Sequence, residues 1–489
     1  MTNLTPRHPQ SRNLLWSDSI LDLQDILHGQ IGDELYIVGG AVRDAFLHHP
    51  IKDLDLATPG DAVKIAKLIA NRLHGDIYVM DAERGVARAL VDTAEGRLVI
   101  DVAHFRGDDL LADLQGRDYT VNAMAVDLRG DLNLLIDPLN GEQDATDKVM
   151  RRCTPQSLHD DPIRGLRAVR QSVQLKFKIE PQTREDIRAE SANLMATSPE
   201  RVRDEFFALL ALPNVRMGLR VADALGLLTP IVPEIDLLRD VELPSPHVFN
   251  AYDHVLETVS LMSSIVDVIG YRRSDNSTAS FGLGMLAMQF DRFRVQLNEH
   301  LATTWADERS HRGLLVFAAL LHIPEPENHS KNVSKIISKR AAALKISSHE
   351  KKRLTGMIAY FEQAITLDSQ SPLALHRYWY PLRAMGVDAC LLGLAHYLAT
   401  YGSQLKQDDW LAQVEQAVLL LQAYFLHYDS VVAPPSIING HELMEELAIE
   451  ASPIIGELLT LIREGQVIGE IITRDEALSA ARQYLDSQK

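Results

Sequence analysis

The chain has 489 residues, 46% of them hydrophobic, and a formal net charge of −18 at pH 7. That apolar content supports several domains of ordinary size, and no apolar run reaches the roughly 18 residues of a membrane span, so no membrane partner is expected. Cys153 and Cys390 are too few and too far apart for a disulfide framework or a zinc site, and residues 1–19 lack the apolar core of a signal peptide; a cytoplasmic enzyme with reduced thiols is the expectation.

Residues 1–34 read as a polar leader with a short amphipathic helix, Ser19–His28. The stretch that organises the chain follows at 35–57, LYIVGGAVRDAFLHHPIKDLDLA. Leu35 to Val38 reads as a buried strand, Gly39 and Gly40 as a turn that lets the backbone approach something closely, and Ala41 to Leu47 as a helix start. If 52–57 is a strand, Asp53 and Asp55 leave one face with Cα atoms roughly 6.5–7 Å apart. That suits two carboxylates sharing a pair of Mg²⁺ ions about 3.5–4 Å apart. With a Gly-Gly turn for phosphates alongside, the stretch holds what nucleotidyl transfer needs. The bland alternatives are an ordinary turn and a solvated strand end.

Asp61–Leu73 carries a helical apolar stripe, and Asp76–Met80, Ala87–Val91 and Leu98–Val102 are candidate strands. Asp101 lies inside the last of these, between Ile100 and Val102. An acid in an apolar strand is costly unless paired or metal-bound, and a third metal-site carboxylate is favoured over a buried salt bridge. In GRDYTVNAMAVDL, 116–128, Arg117 and Asp118 read as a charge-assisted pair with the Asn122 amide beside it. Such groups suit a ribose hydroxyl; a helix-capping pair is the alternative. Residues 125–136 read as a hairpin about Arg129-Gly130, and Asp137-Pro138 with Gly141 closes a mixed α/β head, 35–150.

From Asp144 onward the pattern is helical. LHDDPIRGLRAVR, 158–170, places Asp160, Asp161, Arg164, Arg167 and Arg170 at helical spacing, with 161, 164 and 167 on one face. Asp161 and Arg164 offer an acceptor and a planar donor fork, enough to read a base edge, or else form a surface salt bridge. In 197–210, TSPERVRDEFFALL, Ser198 reads as an N-cap and Pro199 as the first helical residue. Residues 151–220 hold 13 Lys and Arg against 9 Asp and Glu, a local +4 on a remainder of −22, which permits RNA binding at one place. A neck spans 151–240, a helical body 241–430 and a tail 431–489, with 271–280 and 324–335 as polar loops. His247, His254 and His322 read as packing residues on apolar helices.

Taken together, VGGAVRD, DLDLA, RDYTVNAMAV, DDPIRGLRAVR and SPERVRDEF, in this order and spacing, resemble the bacterial class II tRNA nucleotidyltransferases, the CCA-adding enzymes and their poly(A) polymerase relatives. The match is strong over 35–240 and weaker over 430–489, through INGHELM and GEIITRDEAL. The resemblance implies an α+β fold: a nucleotidyltransferase (polymerase beta-like) mixed-sheet head, then an all-α neck, body and tail. It implies addition of CMP, AMP or both from CTP and ATP to the tRNA 3′ end with Mg²⁺, poly(A) synthesis being an alternative and an RNA-binding protein with an inactive head a further one. It gives no oligomeric state.

By the same resemblance, Gly39, Gly40 and Arg43 hold the triphosphate, Asp53 and Asp55 the metals, and Asp101 is the third carboxylate. Arg117, Asp118 and Asn122 fall in the ribose-recognising segment. Asp161 and Arg164 read the base, Arg167 contacts the triphosphate, and Pro199 to Arg203 brace the base-reading helix. Two departures stand out. Only 107–116 separates Arg106 from Arg117, whereas relatives carry a longer flexible loop there, and its loss is associated with enzymes that add C but not the final A; Gly116 also replaces an arginine. Relatives also carry an HD phosphohydrolase domain; His247, His254 and His322 resemble its remnants, but Ile323 stands where the metal-binding Asp would follow, so this region is expected to be structural.

Overall fold

Ile20, Leu23 and Leu27 give the first helix, α1 (Asp18–Leu27), its one buried stripe. The computed structural model describes residues 4–270, 281–322 and 329–488. The apolar run before the glycines forms β1 (Tyr36–Val38), and α2 (Gly40–Leu47) begins directly after Gly39. The Asp pair opens β2 (Asp53–Thr58), where Leu54 and Leu56 are buried while Asp53 and Asp55 face the other way, as the period of two requires. Helix α3 (Ala62–Arg72) is capped by the Asp61 side chain, which accepts from Lys64 N–H. The three candidate strands follow as β3 (Asp76–Asp81), β4 (Val86–Thr93) and β5 (Gly96–His104), and β6 (Ala125–Asp127) completes the sheet.

The sheet order is β3-β4-β5-β2-β1-β6. Its pairs are antiparallel except β2 with β5, which run parallel with Asp55 level with Asp101. On the other side of β2, Val38 of β1 is level with Asp55, which brings the Gly39 turn to the carboxylates. Around Arg129-Gly130 the chain turns back as expected, but the return is a single bridge, Ala125 with Ile136, and not a second full strand.

The spacer 107–116 is itself a short helix, α4 (Leu110–Gln115), capped by Asp109. After α5 (Gly141–Thr146) the stretch expected as one helix is two, α6 (Ser157–Asp160) and α7 (Ile163–Leu175). Asp161 lies between them in extended conformation, because the Pro162 ring disfavours helical dihedrals in the residue before it.

By its internal contacts the chain divides into two units, Met1–Ser198 with Val221–Pro230 and Pro199–Arg220 with Ile231–Lys489. The first holds the sheet, and among the described residues no strand occurs beyond Ile179. The second is helical. Ala251–Ile269 and Ser348–Thr366 both pack on Ala384–Tyr401, most of whose residues are buried. The helix from Pro199, the expected first helical residue, sets Phe207 against Phe317 at 5.3 Å between ring centroids. The last three helices share a small core of Leu443, Leu458, Ile462 and Ala477, with capping boxes at Asn439 and Thr473. Residues 271–280 and 323–328 lie outside the described residues, and the loop expected over 324–335 is replaced from 329 by a helix, His329–Ala343.

Candidate active site

Asp53, Asp55 and Asp101 converge on one face of neighbouring strands, as their positions in the sequence suggest. Burial, together with repulsion from Asp101, pushes the Asp53 carboxyl above its ordinary range. Asp55 is pushed up by burial and by Asp101 and Asp53, against the pull of Arg117. Asp101 is more occupied than the sequence indicates: Arg88, directly across in β4, donates to both its oxygens at 2.7 and 2.9 Å. Three carboxylates with two of them held against their own charge form a hard oxygen donor set that a divalent cation relieves. The residues present therefore fit the metal-bound chemistry their spacing suggests.

The turn is built for contact. Gly39 has φ +76°, and a Cβ there would meet Arg117 Nη1 at 2.9 Å and Asp55 Oδ2 at 3.0 Å. Only glycine fits both the dihedral and the space. Behind it, Arg43 on α2 donates to Asn122 Oδ1 at 2.6 Å, and Asn122 Nδ2 donates to Asp118 at 2.9 Å and to Gln171 of α7 at 3.0 Å. Gly40 faces the Arg43 guanidinium.

Arg117 does not pair with Asp118, as its place next in sequence suggests. Its partner is Asp113 of α4, at 3.0 and 3.1 Å, the two being four residues apart. Asp118 pairs instead with Arg167, at 3.4 Å, and accepts from the Tyr119 N–H and Asn122. Burial alone would raise the Asp118 carboxyl, but Arg167 and those two donors outweigh it and hold it below the usual range. Arg106, which the sequence reading passed over, lies beside Arg117 with its side chain still open to solvent, and partial desolvation and that neighbouring cation lower its pKa. Guanidinium groups thus gather on one side of the carboxylates, an arrangement that accepts a polyphosphate.

Asp161 and Arg164 come within 4.0 Å of each other despite the break between α6 and α7. The Arg164 fork rests on the backbone: it donates to the carbonyls of Gly116 at 2.7 Å and Arg117 at 3.1 Å. Tyr119 returns a hydrogen bond to the Arg164 carbonyl. Arg203, expected to brace this helix, directs its guanidinium to Asp307 at 2.7 Å and the Lys345 carbonyl at 2.9 Å. Asp113, Arg106, Arg88 and Gln171 were missed; of these only Asp113 carried a sequence signal, its i,i+4 spacing to Arg117.

A strand–Gly-Gly–helix unit beside strand-borne carboxylates and an arginine cluster defines a nucleotidyltransferase head. Comparison with known proteins agrees: residues 35–151 match the poly A polymerase head domain, and 176–238 the probable RNA and SrmB-binding site of polymerase A. An A-adding tRNA nucleotidyltransferase of Deinococcus radiodurans is 28% identical over 459 residues, 92% of this chain and 95% of that protein. A CC-adding tRNA nucleotidyltransferase of Synechocystis sp. is 28% identical over 91% of this chain and 92% of that protein. Among solved structures, a CCA-adding enzyme with CTP has a TM-score of 0.60 at 20% identity, covering 96% of both chains. The Thermotoga maritima CCA-adding enzyme complexed with tRNA has a TM-score of 0.54 at 20% identity, covering 97% of this chain and 99% of that one. Along nearly its whole length the chain is thus similar to tRNA nucleotidyltransferases, and its head matches the poly A polymerase head domain. No helix among the described residues is long and apolar enough to cross a membrane.

Proposed function

We propose that the chain adds CMP, AMP or both, from CTP and ATP, to the 3′ end of tRNA without a nucleic-acid template, releasing pyrophosphate. The observation that carries this reading is the meeting at Gly39 of the Asp55 carboxylate and the Arg117 guanidinium. A metal ligand and a phosphate-seeking cation flank a backbone turn that has no side chain in the way.

In this reading Asp53 and Asp55 hold Mg²⁺, with Asp101 beside them. When bound, the metal lowers the pKa of the attacking 3′-hydroxyl and neutralises charge on the triphosphate. Gly39 and Gly40 open the backbone to the phosphates at the start of α2. Arg43 and Arg167 supply charge there, and Arg117 bridges the metal side and the nucleotide side. Asp118 and Asn122 are set for the ribose hydroxyls, their geometry held by Gln171. Asp161 and Arg164 select the base by hydrogen bonding, and positioning with charge stabilisation supplies most of the rate. The unpaired thiols of Cys153 and Cys390 fit a cytoplasmic setting.

The short spacer bears on which base is taken. It ends at Gly116, whose carbonyl holds Arg164, so a helix and not a long loop sets the base reader. This supports addition of C without the final A. Single-turnover extension of a tRNA lacking its CCA, with CTP, ATP and both, tests it. Two residues from CTP and no third from ATP are expected. Addition of A to a tRNA ending in CC would overturn the C-only reading, and a long A tail would favour poly(A) synthesis.

A further inference from the structure

The polar leader does not trail from the head; it is fastened to it at two places. Arg7 and Leu135 each donate a backbone N–H to the other's carbonyl, at 3.0 and 2.7 Å. The first fastening is on α5. Glu142 is buried, and its carboxylate accepts from Arg7 Nη1 at 2.6 Å and from the backbone N–H groups of Gln10 and Ser11. Arg7 also comes within 3.7 Å of Asp137, which caps α5 by accepting from the Gly141 and Glu142 N–H groups at 2.7 and 3.0 Å. The second fastening is on α2. The Leu15 N–H donates to the Ala45 carbonyl at 3.0 Å, and His48 Nε2 donates to the Asn13 carbonyl at 2.9 Å. The Arg12 guanidinium lies over the Phe46 ring, 5.3 Å from its centroid.

Those two helices are the ones that converge on the nucleotide side. Helix α2 carries Arg43. Helix α5 lies flush against Thr120: a Cβ at Gly141 would meet the Thr120 carbonyl at 2.2 Å, and Asp144 accepts from the Thr120 hydroxyl at 2.7 Å. Arg151 holds the same Asp144 carboxylate at 3.0 Å. Thr120 opens the tight turn Thr120–Asn122, and Asn122 accepts from Arg43 at 2.6 Å. The contacts therefore close a ring. It runs from the leader through Glu142 and α5 to Thr120 and Asn122, then through Arg43 and α2 back to the leader. Burying Leu14 alone would anchor a leader to the core; this one also grips both sides of the Arg43–Asn122 bond.

We infer that Arg7 and Glu142 are positioning residues for nucleotide binding. They clamp α5 against the leader, and through the ring they hold the Arg43–Asn122 hydrogen bond that sets the phosphate and ribose contacts together. Neither residue touches the nucleotide. Glu142 makes the clamp stiff, because a buried carboxylate that lost Arg7 would be left without its compensating charge. A binding group held by such an outer layer of hydrogen bonds keeps its geometry before the ligand arrives. The inference rests on the nucleotidyl-transfer reading of the head.

The test uses the full-length protein and reads CTP binding by equilibrium dialysis beside steady-state extension of a tRNA lacking its CCA. Arg7 is part-exposed, so Arg7→Met should fold, which thermal unfolding checks. Its Kd and KM for CTP should rise about 5–20-fold. Its kcat should change by less than about twofold, because Arg43 and Asn122 face parts of the nucleotide that do not react. Glu142→Gln should behave alike, and Arg7→Lys should restore most of the affinity. The preference for CTP over 2′-deoxyCTP should shrink in Arg7→Met, an effect that a loss of folded protein would not produce. In an Asn122→Ala background, Arg7→Met should cost nothing further, since both act through one bond. An unchanged Kd in Arg7→Met, or a fully additive loss in that background, would overturn the clamp while leaving the proposed function standing. A wild-type protein that binds neither CTP nor ATP would overturn the proposed function, and the clamp with it.

Discussion

Arg88 grips Asp101 through two hydrogen bonds, one strand away from the Asp53–Asp55 pair. The same guanidinium lowers the Asp53 pKa that burial and Asp101 raise. If Asp53 holds the metal as proposed, its carboxylate must be ionised, and the acid limb of the rate then lies above the ordinary carboxylate range. Arg88→Met removes the lowering influence and should move that limb to higher pH. A pH–rate profile of single-nucleotide incorporation checks it.

Asp55 is in the same position with more burial. A carboxyl raised on folding contributes stability below its unfolded pKa and loses it as pH rises through the folded value. At pH 7 the metal-free head therefore carries an unfavourable charge. Asp55→Asn should raise the melting temperature of the metal-free protein by about 1–3 °C while lowering nucleotide incorporation on the order of 10³-fold or more. Calorimetry with and without Mg²⁺ separates the two effects. A variant that lost both stability and activity would count against Asp55 as a metal ligand.

Gly39→Ala tests the turn itself. The new methyl meets Arg117 and Asp55 near 3 Å at a backbone dihedral of +76°. Destabilisation of about 1–3 kcal/mol is expected from strain, with incorporation down about 100-fold because both flanking groups must move. Urea unfolding and single-turnover rates measure the two.

Much of this site was legible in the chain. The period of two placed Asp53 and Asp55 on one face, and an acid between Ile100 and Val102 marked Asp101. Pro162 was visible too, and it alone argued against a continuous helix through Asp161. What the sequence hid were partners set by register and tertiary packing. Arg88 meets Asp101 only because β4 and β5 pair as they do, and Gln171 reaches Asn122 only once α7 docks on the head. Adjacency misled at Arg117 and Asp118, whose charges point to Asp113 and Arg167. In the helical unit His396 packs against His254 and His322, at 4.8 and 5.4 Å between ring centroids, and no local pattern announced that it belonged with them.

Asp113 ties the spacer to the nucleotide side. Its carboxylate is almost fully buried against Arg117 and also accepts from the Arg106 N–H. Asp113→Ala leaves a buried guanidinium unpaired, a change that costs about 3–5 kcal/mol in comparable pairs. Asp113→Asn keeps the shape, and should lower kcat/KM for the nucleotide about 10–100-fold with a smaller loss of stability. Nucleotide kinetics beside thermal unfolding check both variants; equal loss of stability and unchanged kinetics in Asp113→Asn would make the pair purely structural.

Asp388 makes the strongest prediction for the helical unit. Burial would raise its carboxyl, but His311, His300 and Arg353 outweigh it and hold it well below the usual range. A carboxyl depressed on folding contributes stability above its unfolded pKa, and that contribution drains away as pH falls from about 5 through its folded value. Asp388→Asn should therefore destabilise the unit by about 3–5 kcal/mol at pH 7, and the difference from wild type should shrink steadily below pH 5. Denaturant unfolding at pH 7, 5 and 3.5 measures it. A difference that stayed constant across that range would place the loss in packing and not in the charge.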